Sequence, residues 1–191
     1  MFAAKVKKRK IHIGYTGITW SNRQLEDAIA GAASLGFYRF ETFGDNLMQG
    51  EARGGLLPVL QQHNLQLISG YCSINLTDPT QRATELAKAD KYCELIKKNN
   101  GRIYVVGPNG VNRSTYDFAA NKANIVETLN ELAKRVDGHG LTPALHQHTG
   151  TCIESRDETY GVLDAADTKH LKFGPDVGQL TKGGAGRTRC K

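Results

Sequence analysis

Four cysteines, Cys72, Cys93, Cys152 and Cys190, are scattered through 191 residues at wide and irregular intervals, with no CxxC among them. That spacing gives neither a zinc knuckle nor a disulfide framework, and it points to a reducing, cytoplasmic setting. Long apolar runs are missing too. No window approaches the roughly 20 apolar residues of a membrane span, and Ile11-His12-Ile13-Gly14 after the basic start is too short for a signal-peptide core. The first strand-to-helix turn, Gly14-Tyr15-Thr16-Gly17-Ile18-Thr19-Trp20, carries neither GxGxxG nor a P-loop, which excludes a nucleotide phosphate there. Acids are absent from residues 1–10 and 181–191, whose nine bases account for the whole positive net charge of +6. The middle of the chain holds 16 bases against 19 acids, a net charge of −3, so charge indicates no nucleic-acid face.

What is present is the composition of an ordinary globular domain, 39% apolar and 23% charged, long enough for one substantial core. A β-prone run followed by a turn and a helix-period stretch recurs six times, about every 30 residues. The expected strands are Ile11–Trp20, Phe37–Phe43 ending on Glu41, Leu65–Ile74, Arg102–Val106, a fifth from Thr142 into the HxH, and Leu171–Phe173. Between them, Leu25, Ala28, Ile29, Ala32 and Leu35 recur at helical spacing until Gly36. A long helix opens at Thr77-Asp78-Pro79 with Ala83, Leu86, Ala87, Tyr92, Cys93 and Ile96 on one side. Another, from about Phe118 to Val136, aligns Ile125, Val126, Leu129, Leu132, Ala133 and Val136. Such alternation implies a parallel sheet. Polar side chains at nearly every strand end favour a β/α barrel over an open sheet, because barrel sites draw on several strand ends.

Two segments carry the candidate chemistry. His146-Gln147-His148-Thr149-Gly150-Thr151 ends the fifth strand, and Gly174-Pro175-Asp176-Val177-Gly178-Gln179 follows the sixth. In an extended segment His146 and His148 share a face, so one ion or one substrate could meet both imidazoles. A structural, hydrogen-bonded histidine pair is the alternative reading. Trp20 reads as rim packing or a sugar platform, Glu41 as a mouth-facing acid or a salt-bridged surface group, and Gly107-Pro108-Asn109-Gly110 as a turn in the pocket wall. Glu154 and Asp157 are expected to open the fifth helix. Lys172 is expected to face outward or to be paired.

Together with Gly17-Ile18-Thr19-Trp20 and Gly36-Phe37-Tyr38-Arg39-Phe40-Glu41, these segments resemble the sugar phosphate isomerase/epimerase superfamily of xylose isomerase-like barrels, most nearly its inosose dehydratase-like members. The resemblance runs in order from residue 11 to about 184. It implies a divalent cation (Mn, Co or Mg) at the C-terminal mouth, with His146 and Asp176 at the strand-five and strand-six ligand positions. It also implies a small sugar or cyclitol as substrate, faced by Glu41; Glu41 and His148 are then the candidate catalytic groups, and Trp20, Asn109 and Gln179 the candidate substrate contacts. Gln179 stands where many relatives carry a histidine. Ligands from strands seven and eight have no counterpart in the sequence.

The expected fold is therefore α/β, an incomplete TIM barrel of about six units lacking units seven and eight. It would comprise a basic disordered stretch at 1–10, the partial barrel at 11–182 and an irregular tail at 183–191. A truncated chain of this kind implies impaired activity, a weakly held metal and self-association through unpaired sheet edges, with no nucleic-acid or membrane partner. A noncatalytic carbohydrate-binding barrel is the alternative function. An abasic-site endonuclease is disfavoured by the acidic middle and the few strand-end histidines.

Overall fold

Six strands pair in chain order, every neighbour parallel, in a computed structural model that describes residues 11–184. The strands are β1 (Tyr15–Thr16), β2 (Arg39–Phe43), β3 (Gln66–Ile74), β4 (Ile103–Pro108), β5 (Thr142–Leu145) and β6 (Lys172–Phe173). Between them lie α1 (Leu25–Ser34), α2 (Gly44–Glu51), α3 (Leu57–Gln62), α4 (Arg82–Lys98), α5 (Phe118–Gly138) and α6 (Arg156–Leu163), and α7 (Val177–Lys182) follows β6. This is the α/β, six-strand partial barrel that the rhythm predicts. The expected disordered start at 1–10, and the expected tail from residue 185 onward, lie outside the described residues. Among the described residues no helix is long and apolar enough to cross a membrane.

Four helix-to-strand returns are built alike. In each, a residue with left-handed backbone follows the helix: Gly36 (φ 83°), Asn64 (φ 53°), Asn100 (φ 62°) and Gly140 (φ 76°). The next amide then reaches back to the helix, Phe37 N to Ala32 O, Leu65 N to Leu60 O, Gly101 N to Ile96 O and Leu141 N to Val136 O, at 2.7–3.1 Å. This closure satisfies carbonyls that the helix end leaves free. At the other helix ends, Asp78 and Asp117 accept from backbone amides two and three residues on, and Ser155 with Glu158 forms a reciprocal capping box.

The helices pack on one face of the sheet. Gly70 has no room for a side chain because Ile96 of α4 would lie 2.8 Å from its Cβ, and Gly44 is likewise pressed against Tyr92 and Cys72. Phe40, Cys72, Tyr104, Val106 and Leu145 from the strands, with Ile96, Ile125, Leu129, Leu132 and Val136 from the helices, form the buried layer. Cys72, Cys93 and Cys152 are free thiols, in line with the absence of a disulfide pattern.

Several boundaries differ from the sequence reading. Only Tyr15–Thr16 of the expected first strand pairs with a neighbour. The chain then turns at Gly17, where a Cβ would sit 2.6 Å from the Phe40 ring. Leu35 is 75% exposed, because α1 ends one residue earlier and turns it outward. On α4 it is Ala89 that is buried, while Ala83 and Ala87 face solvent. Glu41 lies inside β2 rather than at its end, and the strand leads directly into the unforeseen α2. The fifth strand stops at Leu145, so the HxH lies just beyond it, and a short α7 follows Asp176.

Candidate functional site at the strand ends

Side chains alternate along β3, so Ser69 and Tyr71 face away from the layer that holds Gly70 and Cys72. Parallel register sets Glu41 beside Ser69 and Phe43 beside Tyr71. The Ser69 hydroxyl donates to Glu41 Oε2 at 2.5 Å and the Thr16 hydroxyl to Oε1 at 3.0 Å, which fixes the carboxylate on this face. The Tyr71 ring meets Phe43 edge-on at 5.4 Å and His146 at 5.5 Å, and the His146 and His148 rings lie 6.1 Å apart. Tyr71 can lie across β4 only because residue 107 is glycine: a Cβ there would approach its ring to 2.5 Å.

His146 is half-buried. Burial holds its imidazole below the ordinary histidine range, while Asp176 and Glu41 act in the opposite sense without outweighing it. The ring is therefore neutral near pH 7, the form that can bind a cation or accept a proton. Burial, with Glu41 adding to it, raises the Tyr71 phenol.

His148 is committed within the protein. Its Nδ1 lies 2.8 Å from the Thr149 carbonyl and its Nε2 2.9 Å from the Gln179 amide nitrogen. A carbonyl only accepts, so the proton is assigned to Nδ1, and Nε2 accepts from Gln179. Gln179 Oε1 accepts from the Thr149 amide and hydroxyl at 3.1 and 2.8 Å, and the Gln179 backbone donates to Asp176 Oδ1 at 2.9 Å. Asp176, Gln179, His148 and Thr149 thus form one linked clip across the ends of β5 and β6. Asn109 ties loops together: its Oδ1 accepts from Leu76 N, its Nδ2 donates to Thr77 Oγ1, and its carbonyl accepts from Cys152 N. Trp20 stands at the rim, with its indole donating to the Tyr15 hydroxyl at 2.8 Å.

A family profile described as xylose isomerase-like TIM barrel matches residues 29–188. The chain belongs to that family. It is 23% identical to an inosose dehydratase of Mesomycoplasma hyopneumoniae strain J, over 96% of this chain and 66% of the relative. The xylose isomerase-like fold is equally plain in solved structures. A D-psicose 3-epimerase with D-tagatose from Clostridium cellulolyticum H10 superposes with a TM-score of 0.68 at 18% identity, covering 82% of this chain and 59% of that one. The IOLI protein with a binding zinc atom gives 0.69 at 14% identity, over 86% and 61%. The chain spans just under two thirds of the length of the dehydratase.

Among the described residues no three His, Cys, Asp or Glu side chains converge as a metal set. Both Glu41 oxygens and both His148 nitrogens already have protein partners. The His146 imidazole and the second Asp176 oxygen have no side-chain hydrogen-bond partner among the described residues, and nitrogen and oxygen are donor types that suit a borderline or hard cation.

Sequence reasoning missed Tyr71, which reads as core inside an apolar run, and Arg113. Arg113 donates to Glu158 at 2.7 Å and to the Thr151 carbonyl at 3.1 Å, pinning the HxHxGT loop to α6. The Ser155-x-x-Glu158 spacing was the legible signal for that anchor. Asp157 does lie in the first turn of α6, whereas Glu154 precedes the cap and accepts from Gly150 N. Lys172 donates to the Thr168 and Lys169 carbonyls at 2.8 Å, so its charge is turned away from the mouth.

Proposed function

We propose that the mouth binds a small sugar or cyclitol and carries the proton chemistry of an isomerase, epimerase or inosose dehydratase-like enzyme, with impaired turnover in this chain. His146 and Asp176 would hold a divalent cation, manganese, cobalt or magnesium, weakly because they are two donors. When bound, the cation supplies Lewis acidity that eases loss of a C–H proton beside a carbonyl. Glu41, oriented by the Thr16 and Ser69 hydroxyls, is the group placed to take or return that proton. Tyr71 walls the site and excludes water from one side. The Gln179 clip fixes the orientation of the His148 ring, which suits it to orienting substrate. Return of the proton to carbon gives isomerisation or epimerisation, and loss of a β-hydroxyl gives dehydration; all three share the first step.

The observation that carries this reading is the packing of the Tyr71 ring against half-buried His146, on the face where the Thr16 and Ser69 hydroxyls hold the Glu41 carboxylate. Melting the chain during a manganese or cobalt titration tests it. A rise in Tm at millimolar metal, lost in His146→Ala and Asp176→Asn, is expected; a wild type that does not respond contradicts the metal reading. The donor count of two favours a second reading, a carbohydrate-binding mouth without metal, which a metal-independent Tm rise with sugar would support. We also infer self-association through β1 and β6, each paired on one side only among the described residues, with Ile11 and Ile13 before β1 and Phe173 in β6 exposed. A monomer by size-exclusion chromatography at high concentration would contradict that.

A further inference from the structure

The end of the sheet opposite the mouth holds a cavity of about 680 Å³ between α3, the start of β3 and the turn into β4. It lies roughly 17 Å along β3 from Tyr71, five residues at the strand rise. Arg39, at the first position of β2, and Arg102, just before β4, both line it, together with Gln66, Asn64, Asn99 and Asn100, and no aspartate or glutamate does. Two cations facing a shared cavity without a carboxylate repel each other unless an anion joins them. The Arg39 guanidinium lies 5.8 Å from the Tyr38 ring centroid, and its buried Nε has no hydrogen-bond partner. Asn99 is 2% exposed, and its Oδ1 is also unpartnered, an expensive arrangement for a buried polar atom.

The turns add an independent point. Of the four left-handed helix-to-strand returns, two use glycine, at Gly36 and Gly140, and neither of these borders the cavity. The two that do border it use asparagine, at Asn64 and Asn100. Glycine adopts this backbone at less cost, so asparagine there adds amide groups at the cavity rim.

We propose that this cavity is a second binding site, for the phosphate group of a small phosphorylated polyol. Arg39 and Arg102 would take the phosphate oxygens, as planar guanidinium forks suit. The Asn64, Asn100 and Gln66 amides and the orphaned Asn99 Oδ1 would meet hydroxyl groups. The site needs no metal and does not depend on the chemistry assigned to the mouth.

Calorimetric titration of the 191-residue chain with glycerol 3-phosphate, inorganic phosphate and glycerol, each to about 10 mM, tests this. Saturable binding of the two phosphates is expected, with none for glycerol. A tighter ester supports the polyol phosphate as ligand, and equal or tighter free phosphate overturns that choice. Arg102→Gln, at an exposed position, should weaken binding at least about tenfold, as loss of a charge-assisted contact does. Asn100→Gly keeps the left-handed turn while removing one amide, and should weaken the ester more than free phosphate. Absence of phosphate binding in the wild type, or equal affinity in a folded Arg102→Gln protein, would overturn the site.

Discussion

The two faces of the sheet solve different problems. On the helix side, Phe40, Tyr104, Val106 and Leu145 are wholly buried against α-helices, and even glycines are chosen for close approach. On the mouth side the alternate residues Ile103, Val105 and Ala144 are only half-covered, and polar groups hold one another through hydroxyl, amide and imidazole contacts. Stability therefore resides in the helix-facing layer, and the candidate chemistry resides in the layer that contributes least to it. That division leaves the mouth free to keep a half-buried imidazole among polar partners, at the cost of a weakly covered face.

The sharpest way to break this comparison is to cut one apolar side chain from each layer. Leu132→Ala in α5 should lose about 2–5 kcal/mol, whereas Val105→Ala on the mouth face should lose less than about 1 kcal/mol. Urea denaturation reads both, and equal losses would erase the distinction. Next in size is Gly107→Ala. Its new methyl must displace the Tyr71 ring, costing about 1–3 kcal/mol by overpacking and shifting the His146 ring protons in NMR spectra as the edge-on contact is lost.

Glu158→Gln sharpens the account of how the HxHxGT loop is anchored, with an expected loss of about 1–2 kcal/mol. Burial alone would raise the Glu158 carboxyl, but Arg113 and the Ser155 and Glu154 amides outweigh it and hold it below the ordinary glutamate value. Because the folded value is depressed, its contribution is present above about pH 4.5 and fades as pH falls through the lower folded value. Stability measured against pH should show that acid-side decline in the wild type and a flatter one in the glutamine variant. The smallest effect is a gain: Gly31→Ala in α1, where a methyl meets nothing within 4 Å, should stabilise by about 0.5–1 kcal/mol.

The helix-facing layer was legible in the sequence because burial imposes a period. Leu86, Tyr92, Cys93 and Ile96, or Ile125, Leu129 and Val136, announce their helices by spacing, and the β-prone runs between them announce parallel strands. Helix α2 escaped because its eight residues include Gly44 and Gly50 and few apolar side chains, so packing against Tyr92 and β3 makes it rather than local pattern. The mouth was legible only in part. His146 and Asp176 stand out as polar groups at strand ends, but Tyr71 is set beside His146 by parallel register and by a missing side chain at Gly107, neither of which leaves a local mark. Gln179 and Asn109 read as ligand-facing amides, whereas here their hydrogen bonds clip loops together.

In the proposed mechanism one imidazole at the end of β5 and one carboxylate after β6 would grip the same cation. Manganese-induced broadening of histidine ring signals in the intact chain tests this directly. The His146 signals are expected to broaden first at low metal, ahead of His12, His63, His139 and His170, and to stay sharp in Asp176→Asn. Broadening that spares His146, or that is unchanged by loss of the Asp176 charge, would contradict it.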